Sequence, residues 1–235
     1  VFEIGEGAFS NDTTVKKIIV GANVKRISAA AFYANSSLNE IVFEGNGLES
    51  IGGGAFIGCT SLKSITLPEG LKELGPYAFF SCSSLQSVII PDGIKEIYSY
   101  TFARCSSLTS VTLPDSVEKI GTAAFNFCSS LSDMELPSSL SFVDEAAFSG
   151  CSAVNKFDFT KTKLQSIEDS AFVSCTGLKS IYFPDTLEKI GEQAFFNCPS
   201  LYDIKMSENV SEIGAFALNF TPWYAEIADD YKIVG

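Results

Sequence analysis

Residues 62–84 read LKSITLPEGLKELGPYAFFSCSS, and close variants of this segment follow one another along almost the whole chain. Most copies contain Ala-Phe, with a cysteine three residues after the phenylalanine. These anchor phenylalanines are spaced 23 or 24 residues apart and are Phe9, Phe32, Phe56, Phe79, Phe102, Phe125, Phe148, Phe172 and Phe195. A fixed period of this length predicts a solenoid, in which each unit buries its apolar face against its neighbours.

Each copy contains two predicted extended segments. In the quoted copy, residues 64–67 alternate between polar and apolar side chains, which predicts a half-buried strand. Pro68 has no backbone N–H and is predicted to end that strand. The apolar pair Leu71 and Leu74 predicts a second short strand or extended arm on the far side of the coil. The Ala-Phe segment is predicted to form one helical or irregular turn that carries its phenylalanine into the core.

Two gaps of 24 residues interrupt the 23-residue spacing. Their extra residues fall within 44–47 and 160–163, where the usual proline is absent. Both stretches follow a predicted first strand. Because insertions in solenoids are accommodated in loops, we expect the register of the other segments to be preserved.

The repeating pattern Leu-x-x-Ile-x-Leu-Pro-x-x-Leu-x-x-Ile-Gly-x-x-Ala-Phe-x-x-Cys-x-Ser resembles the BspA-like leucine-rich repeat family, over about Phe2 to about Phe220. The resemblance implies a single right-handed leucine-rich-repeat solenoid, mostly β, of about nine to ten coils with a parallel strand ladder on one face. Residues 1–220 are expected to form this solenoid. Residues 221–235, with their Thr-Pro-Trp-Tyr motif and a final Tyr-Lys-Ile-Val-Gly, resemble the break that interrupts such arrays, so we expect a C-terminal cap or the start of a break. Trp223 and Tyr224 are predicted to close the end of the core.

The resemblance also implies a function. The family is typical of bacterial or protist proteins that are secreted or lie on the cell surface, where they adhere to host or matrix proteins. We therefore expect a non-catalytic, extracellular, adhesin-like module that binds proteins through the strand ladder. The alternative is a structural spacer of a larger surface protein that binds little itself. The chain begins at Val1 and shows no signal segment, so its location is expected from the resemblance alone.

Composition narrows the possible partners. The net charge is −12 and histidine is absent, which argues against nucleic acids and anionic membranes as partners. A hydrophobic content of 46% with 19% charged residues is sufficient for a packed core. The sequence contains no run of about 18 apolar residues, so membrane insertion is not predicted. We expect a monomer with a protein partner.

All seven cysteines occupy one position of the repeat. They are Cys59, Cys82, Cys105, Cys128, Cys151, Cys175 and Cys198, and Asn35 holds that position in an earlier copy. We predict a buried ladder of free thiols about 4.8 Å apart. A disulfide is compatible with that spacing, but parallel side chains would orient the sulfurs poorly, and the odd number would leave one thiol over. A metal site needs ligands that converge on a point, so none is predicted.

The serines that follow these cysteines do not predict catalysis. Ser83, Ser106, Ser129 and Ser152 recur with the repeat, and the chain has no histidine to act as a base. Their hydroxyl groups are predicted to satisfy backbone groups. No catalytic residue and no cofactor are predicted.

The outward positions of the first strands form two rows on one face, where a solenoid can bind partners. The middle copies are small and neutral there, whereas the last four are charged. The predicted partner-binding residues are Asp133, Glu135, Lys156, Asp158, Tyr182, Asp203 and Lys205. Tyr182 is predicted to be an aromatic anchor, which suits an interface. The alternative is that solvent-facing strand positions simply tolerate variation.

A second candidate surface is aromatic and lies on the turn segments. Its members are Tyr77, Phe80, Tyr98, Tyr100 and Phe196. Stacking of these rings from coil to coil is the structural alternative to a binding function.

Overall fold

A computed structural model describes residues 2–230 of the chain. Within this range the chain forms a mostly β solenoid of about nine turns, with short strands that pair in parallel with the strands of neighbouring coils. The predicted leucine-rich-repeat solenoid with a parallel ladder is therefore confirmed. The Tyr-Lys-Ile-Val-Gly motif, residues 231–235, lies outside the described residues.

Nineteen strands are described, two in each complete coil. In chain order they are β1 (Glu3–Ile4), β2 (Lys17–Val20), β3 (Arg26–Ile27), β4 (Glu40–Phe43), β5 (Ser50–Ile51), β6 (Ser64–Thr66), β7 (Glu73–Leu74), β8 (Ser87–Ile89), β9 (Glu96–Ile97), β10 (Ser110–Thr112), β11 (Lys119–Ile120), β12 (Asp133–Glu135), β13 (Phe142–Val143), β14 (Lys156–Asp158), β15 (Ser166–Ile167), β16 (Ser180–Tyr182), β17 (Lys189–Ile190), β18 (Asp203–Lys205) and β19 (Glu212–Ile213).

The even-numbered and odd-numbered strands form two separate rows. The even row is divided into sheets β2–β4, β6–β12 and β14–β18, and the odd row into sheets β1–β7 and β9–β19. The odd row confirms the predicted second strand. Paired residues are 23 or 24 apart in sequence, as between Ser87 and Ser110. The ladder therefore keeps equivalent positions of successive coils side by side.

Both longer coils keep this register, as predicted. Residues 44–47 lie in the loop after β4, and residues 160–163 lie in the loop after β14. Strand β5 still pairs residue for residue with β3 and β7, and β16 with β14 and β18. The extra residue is therefore absorbed before the next strand of the odd row begins.

The anchor phenylalanines form the centre of the core. Eight consecutive pairs of these rings are stacked, with centroid separations of 5.1–5.6 Å. From Phe32 to Phe195 the rings are at most 1% exposed, whereas Phe9, at the first end, is 49% exposed. Each ring is buried by the coils on both sides, so the solenoid buries its core along its length and leaves one side of an end ring open.

The predicted thiol ladder lies beside these rings. All seven cysteines are free and buried. Each Sγ donates a hydrogen bond to the backbone carbonyl of the anchor phenylalanine in the preceding coil, at 3.1–3.4 Å. Burial raises the pKa of all seven thiols, that of Cys151 to about 12. Three of the four neighbouring serines act as predicted, since the hydroxyls of Ser106, Ser129 and Ser152 each donate to a serine carbonyl of the preceding coil at 3.2–3.5 Å.

The Ala-Phe segments differ from the prediction of a helical or irregular turn. They form a third, regular ladder in which every coil donates three backbone hydrogen bonds to the next, as from Tyr100, Phe102 and Arg104. The residues two before and two after each anchor position have φ between 52° and 76° in every coil. This left-handed geometry aims alternate N–H groups along the solenoid axis. Sequence reasoning missed it because no single residue type occupies these positions.

One of these left-handed positions gives a stability prediction. Ala146 has φ 54°, which glycine adopts without the steric cost that a Cβ imposes. We expect Ala146→Gly to stabilise the chain by about 0.5–1 kcal/mol in urea unfolding. The adjacent Ala147 is buried and has negative φ, so Ala147→Gly should destabilise the chain by about 1 kcal/mol. A loss of stability in both variants would contradict the assigned left-handed geometry.

The one helix in the described part of the chain, α1 (Pro222–Asp230), was not predicted. Trp223 is partly buried against the core, and its backbone N–H donates to the Leu201 carbonyl at 3.1 Å. Tyr224 is 38% exposed. The division at residue 220 and the expected cap or break over 221–235 stay predictions. No helix among residues 2–230 has the length and apolar character needed to cross a membrane.

Candidate functional site

The predicted partner-binding residues lie on β12, β14, β16 and β18, and strand alternation turns the six described side chains away from the core. Glu135, Lys156, Asp158 and Lys205 are exposed, and the apolar residues between them point inward. The side chain of Asp133 lies outside the described part of the structure. The strand pairing places Asp158 beside Tyr182, and Tyr182 beside Lys205.

Four of the seven residues are brought into one connected group. Lys156 Nζ lies 3.1 Å from Asp158 Oδ2 and 4.6 Å from the centre of the Tyr182 ring. The Tyr182 hydroxyl donates a hydrogen bond to Asp203 Oδ2 at 2.5 Å. Both contacts of the tyrosine are diagonal, because Ser180 is the direct neighbour of Lys156 and Asp203. We call Lys156, Asp158, Tyr182 and Asp203 the tyrosine cluster.

The loop after β14 fixes one end of the cluster. Asp158 Oδ1 accepts hydrogen bonds from the Thr160 hydroxyl at 2.6 Å and from the Thr160 N–H at 3.1 Å. The hydroxyl donor is the main reason that the pKa of Asp158 is lowered, and Lys156 lowers it further. The longer coil therefore holds an ionised carboxylate at the edge of the strand face.

The tyrosine keeps its proton across the physiological range. Its hydrogen bond to the Asp203 carboxylate is the main cause of a raised pKa for Tyr182. The ring is half-buried, with a cation over one face and an anion at its hydroxyl. Such a ring presents apolar area in a fixed orientation, because its hydroxyl group is already satisfied.

The other predicted residues stand apart from this group. Glu135 and Lys205 are exposed and form no ion pair among the described residues. They can therefore respond to a partner without breaking an internal contact. The predicted site is thus a fixed cluster with free charges on both sides of it.

Sequence reasoning missed two other features of the surface. On the even row, Ile89 is 66% exposed within the small, neutral middle coils. Along the odd row and its flanking residues, ion pairs link neighbouring coils, including the exposed pair of Arg26 with Glu3 at 2.9 Å and the half-buried pair of Lys119 with Asp144 at 2.8 Å. Exposed pairs of this kind contribute little to stability. Arg26 and Glu3 share one repeat position, where opposite charges were the signal, whereas Lys119 and Asp144 hold different positions.

The described residues contain no group of three or more His, Cys, Asp or Glu side chains arranged to hold a metal ion. A cavity of about 830 Å³ lies at the first end of the solenoid, lined by residues that include Phe9, Ile18 and Asn35. None of the seven predicted residues lines it. The candidate site is therefore an open surface, which suits contact with a macromolecule better than enclosure of a small molecule.

Comparison with protein families gives a match over most of the chain. The model for the BspA type leucine rich repeat region matches in six copies, over residues 2–132 and 95–222. A search of curated proteins finds no significant match.

Solved structures of bacterial proteins resemble the solenoid. A leucine-rich repeat protein from Bacteroides ovatus is 25% identical, with a TM-score of 0.50 over 99% of this chain and 86% of that chain. The pneumococcal vaccine antigen PcpA is 19% identical, with a TM-score of 0.55 over 94% of this chain and 74% of that chain. A leucine rich cell surface protein from Faecalibacterium prausnitzii is 23% identical, with a TM-score of 0.48 over 87% and 83% of the two chains.

Proposed function

Because the chain belongs to the BspA-type leucine-rich repeat family, we propose that it is a non-catalytic protein-binding module of adhesin type that acts outside the cell. The partner is a host or matrix protein, or another surface protein. It binds the strand face of the last four coils through Asp133, Glu135, Lys156, Asp158, Tyr182, Asp203 and Lys205. The observation that carries the proposal is the tyrosine cluster, in which a half-buried aromatic ring is held by charged groups from adjacent strands.

Preorganisation of the cluster supports this assignment. Tyrosine is enriched among the residues that dominate binding energy, and it has few rotatable bonds to immobilise. Here its orientation is already restricted by Asp203 at the hydroxyl and by Lys156 over the ring. Less conformational entropy is then lost when a partner docks.

The charges around the ring indicate the chemistry of the partner surface. The seven residues comprise four carboxylates, two ammonium groups and one phenol. A partner that places basic side chains against Glu135 and an apolar side chain against Tyr182 would match this pattern. Charges at the rim would mainly accelerate association and make it sensitive to salt.

The proposal predicts a loss of affinity in a triple variant. The chain should bind at least one member of a panel of matrix and plasma proteins saturably at physiological salt, as measured by surface plasmon resonance. Glu135→Thr, Asp158→Asn and Tyr182→Thr together should weaken that binding at least about tenfold, because they remove an anchor and two charges. Asparagine at 158 retains an acceptor for the Thr160 hydroxyl.

A matched control lies at the other end of the same row. Lys17 and Glu40 form an exposed pair at 2.7 Å on β2 and β4, so Lys17→Thr with Glu40→Thr removes one cation and one anion from the same face and leaves the net charge unchanged. This control should bind normally. Equal affinity of the triple variant and the wild-type chain would refute the assignment of the surface. Absence of saturable binding to the whole panel would favour the spacer function instead.

A further inference from the structure

The third ladder, formed by the Ala-Phe segments, is called the turn ladder. It carries unusually large side chains in three adjacent coils. Tyr77, Tyr100, Arg104 and Phe127 have φ between 55° and 62°. Bulky residues with left-handed backbone geometry are uncommon, because the Cβ crowds the neighbouring carbonyl. Backbone strain that persists in this way is often associated with a function.

Most other coils hold small or flexible residues at the same two positions. These are Gly7, Asn11, Ala30, Ala34, Gly54, Gly58, Ala146, Gly150, Ser170, Ser174, Gln193 and Asn197, whereas within the three coils only Ser81 and Ala123 are small. Only the last coil has further aromatic residues there, Phe216 and Phe220. The backbone geometry is the same in every coil, so it does not itself require large side chains. Their concentration in three central coils needs another explanation.

The large side chains form one patch. The Tyr77 and Tyr100 rings stack at 4.7 Å, as the coil-to-coil alternative anticipated, and the half-buried Phe80 ring lies 5.8 Å from Tyr77 and 6.5 Å from Tyr100. The Arg104 guanidinium carbon lies 5.9 Å from the centre of the Phe80 ring. Phe127 follows Arg104 in the same row and is 53% exposed. We call Tyr77, Phe80, Tyr100, Arg104 and Phe127 the aromatic patch.

The charge of this region differs from that of the whole chain. The turn segments 75–82, 98–105 and 121–128 contain no Asp or Glu, although the chain has 28 acidic and 16 basic residues. The next segment along the solenoid, 144–151, contains two carboxylates, Asp144 and Glu145. Arg104 is exposed and has no carboxylate within ion-pair distance among the described residues. An acidic protein therefore presents one unneutralised guanidinium among aromatic rings.

We propose that the aromatic patch is a second protein-binding surface, which takes a partner segment carrying a carboxylate beside an apolar side chain. Arg104 binds the carboxylate through two parallel N–H···O hydrogen bonds, as a bidentate pair. Phe127 and the stacked rings of Tyr77 and Tyr100 contact the apolar side chain. Aromatic residues and arginine are the types enriched at the centres of protein interfaces, whereas lysine and acidic residues are depleted there. The patch lies on the turn ladder, so it is distinct from the tyrosine cluster on the even-numbered strands.

A protein segment fits the patch better than a carbohydrate does. Recognition of several sugar hydroxyl groups needs convergent polar groups in a concave site. The three turn segments supply no carboxylate, and the Asn126 amide already donates to the Ser149 carbonyl at 3.3 Å. The patch thus offers aromatic area and one cation, a combination that matches an acidic and apolar peptide.

The probe for this proposal is a phage-displayed library of random 16-residue peptides selected on the immobilised chain. We expect the enriched peptides to carry Asp or Glu next to an aromatic or aliphatic residue. For the synthesised peptides, Arg104→Gln and Phe127→Ser should each raise the Kd at least about tenfold in fluorescence anisotropy. Tyr33→Ser, at another exposed aromatic residue on the turn ladder, should leave the Kd within about twofold.

Several outcomes would overturn the proposal. These are the absence of enriched peptides, enrichment of peptides without a carboxylate, and Kd values that Arg104→Gln does not change. Binding of sialyllactose or oligogalacturonate that is lost in Arg104→Gln would assign the patch to acidic sugars instead. A dimer in sedimentation equilibrium that Phe127→Ser dissociates would assign it to a second copy of the chain.

Discussion

Raising the pH from about 9 to 10 should unfold this chain. Its seven buried thiols have raised pKa values, mainly because burial disfavours the thiolate. In the unfolded chain the same groups titrate near pH 8.5. Above that pH the unfolded state therefore loses protons that the folded state retains, and stability falls as the pH rises.

The expected effect is large because the thiols act together. Each thiol that ionises only on unfolding lowers the free energy of unfolding by about 1.4 kcal/mol per pH unit. Seven such groups amount to about 10 kcal/mol per pH unit, which is comparable to the whole stability of an ordinary domain. The slope should persist towards pH 12, the raised pKa of Cys151. Below about pH 7 the thiols are protonated in both states and should have almost no influence on the pH dependence.

Urea unfolding followed by circular dichroism between pH 7 and pH 10, with a phosphine reductant present, would measure this slope. Cys128→Ala removes one thiol from the middle of the ladder. It should reduce the slope of the free energy of unfolding against pH by about 1.4 kcal/mol per pH unit, the contribution of one proton. Ser129→Ala, at the adjacent residue, is the control and should leave the slope unchanged. If wild type and Cys128→Ala show the same pH dependence above pH 9, the thiols are not the cause of alkaline unfolding.

The core was predictable because burial follows the period of the sequence. A residue type that recurs every 23 or 24 residues occupies one place in a stack, and both Phe125 and Cys128 lie where this reasoning puts them. The left-handed positions were not predictable in the same way. Residues as different as Gly54, Tyr77 and Gln193 share one backbone conformation. The inter-coil hydrogen bonds impose that conformation, and they leave no common side-chain signature.

The candidate site, like the core, was predictable from the sequence only in part. The alternation of polar and apolar residues predicts that Tyr182 points away from the core on its strand. It does not predict that the hydroxyl reaches diagonally to Asp203 across the small Ser180 position. That contact depends on rotamers and on the offset between neighbouring strands, neither of which the repeat period specifies. Of the aromatic patch, the predicted second surface contained Tyr77, Phe80 and Tyr100. It did not contain Arg104 or Phe127, whose places beside these rings became evident only from the structure.

Replacing one ring at the centre of the core should remove much of the stability of the chain. Phe125 is fully buried, and its ring stacks on Phe102 at 5.6 Å and on Phe148 at 5.4 Å. Phe125→Ala leaves a cavity between two coils, and we expect a loss of roughly 4 kcal/mol in urea unfolding. The effect should extend beyond the site, because a solenoid is held together only by contacts between neighbouring coils.

Comparing a cavity at the end of the array with one at its centre tests whether stacking between coils carries the stability. Phe9 is 49% exposed and stacks on one ring only, Phe32 at 5.4 Å, so Phe9→Ala should cost about 1 kcal/mol. A central cavity weakens the coupling between two blocks of coils, whereas a terminal cavity only frays an end. Phe125→Ala should therefore also broaden the urea transition, as the two blocks begin to unfold separately. Equal losses in the two variants would mean that stability is not carried by stacking between neighbouring coils.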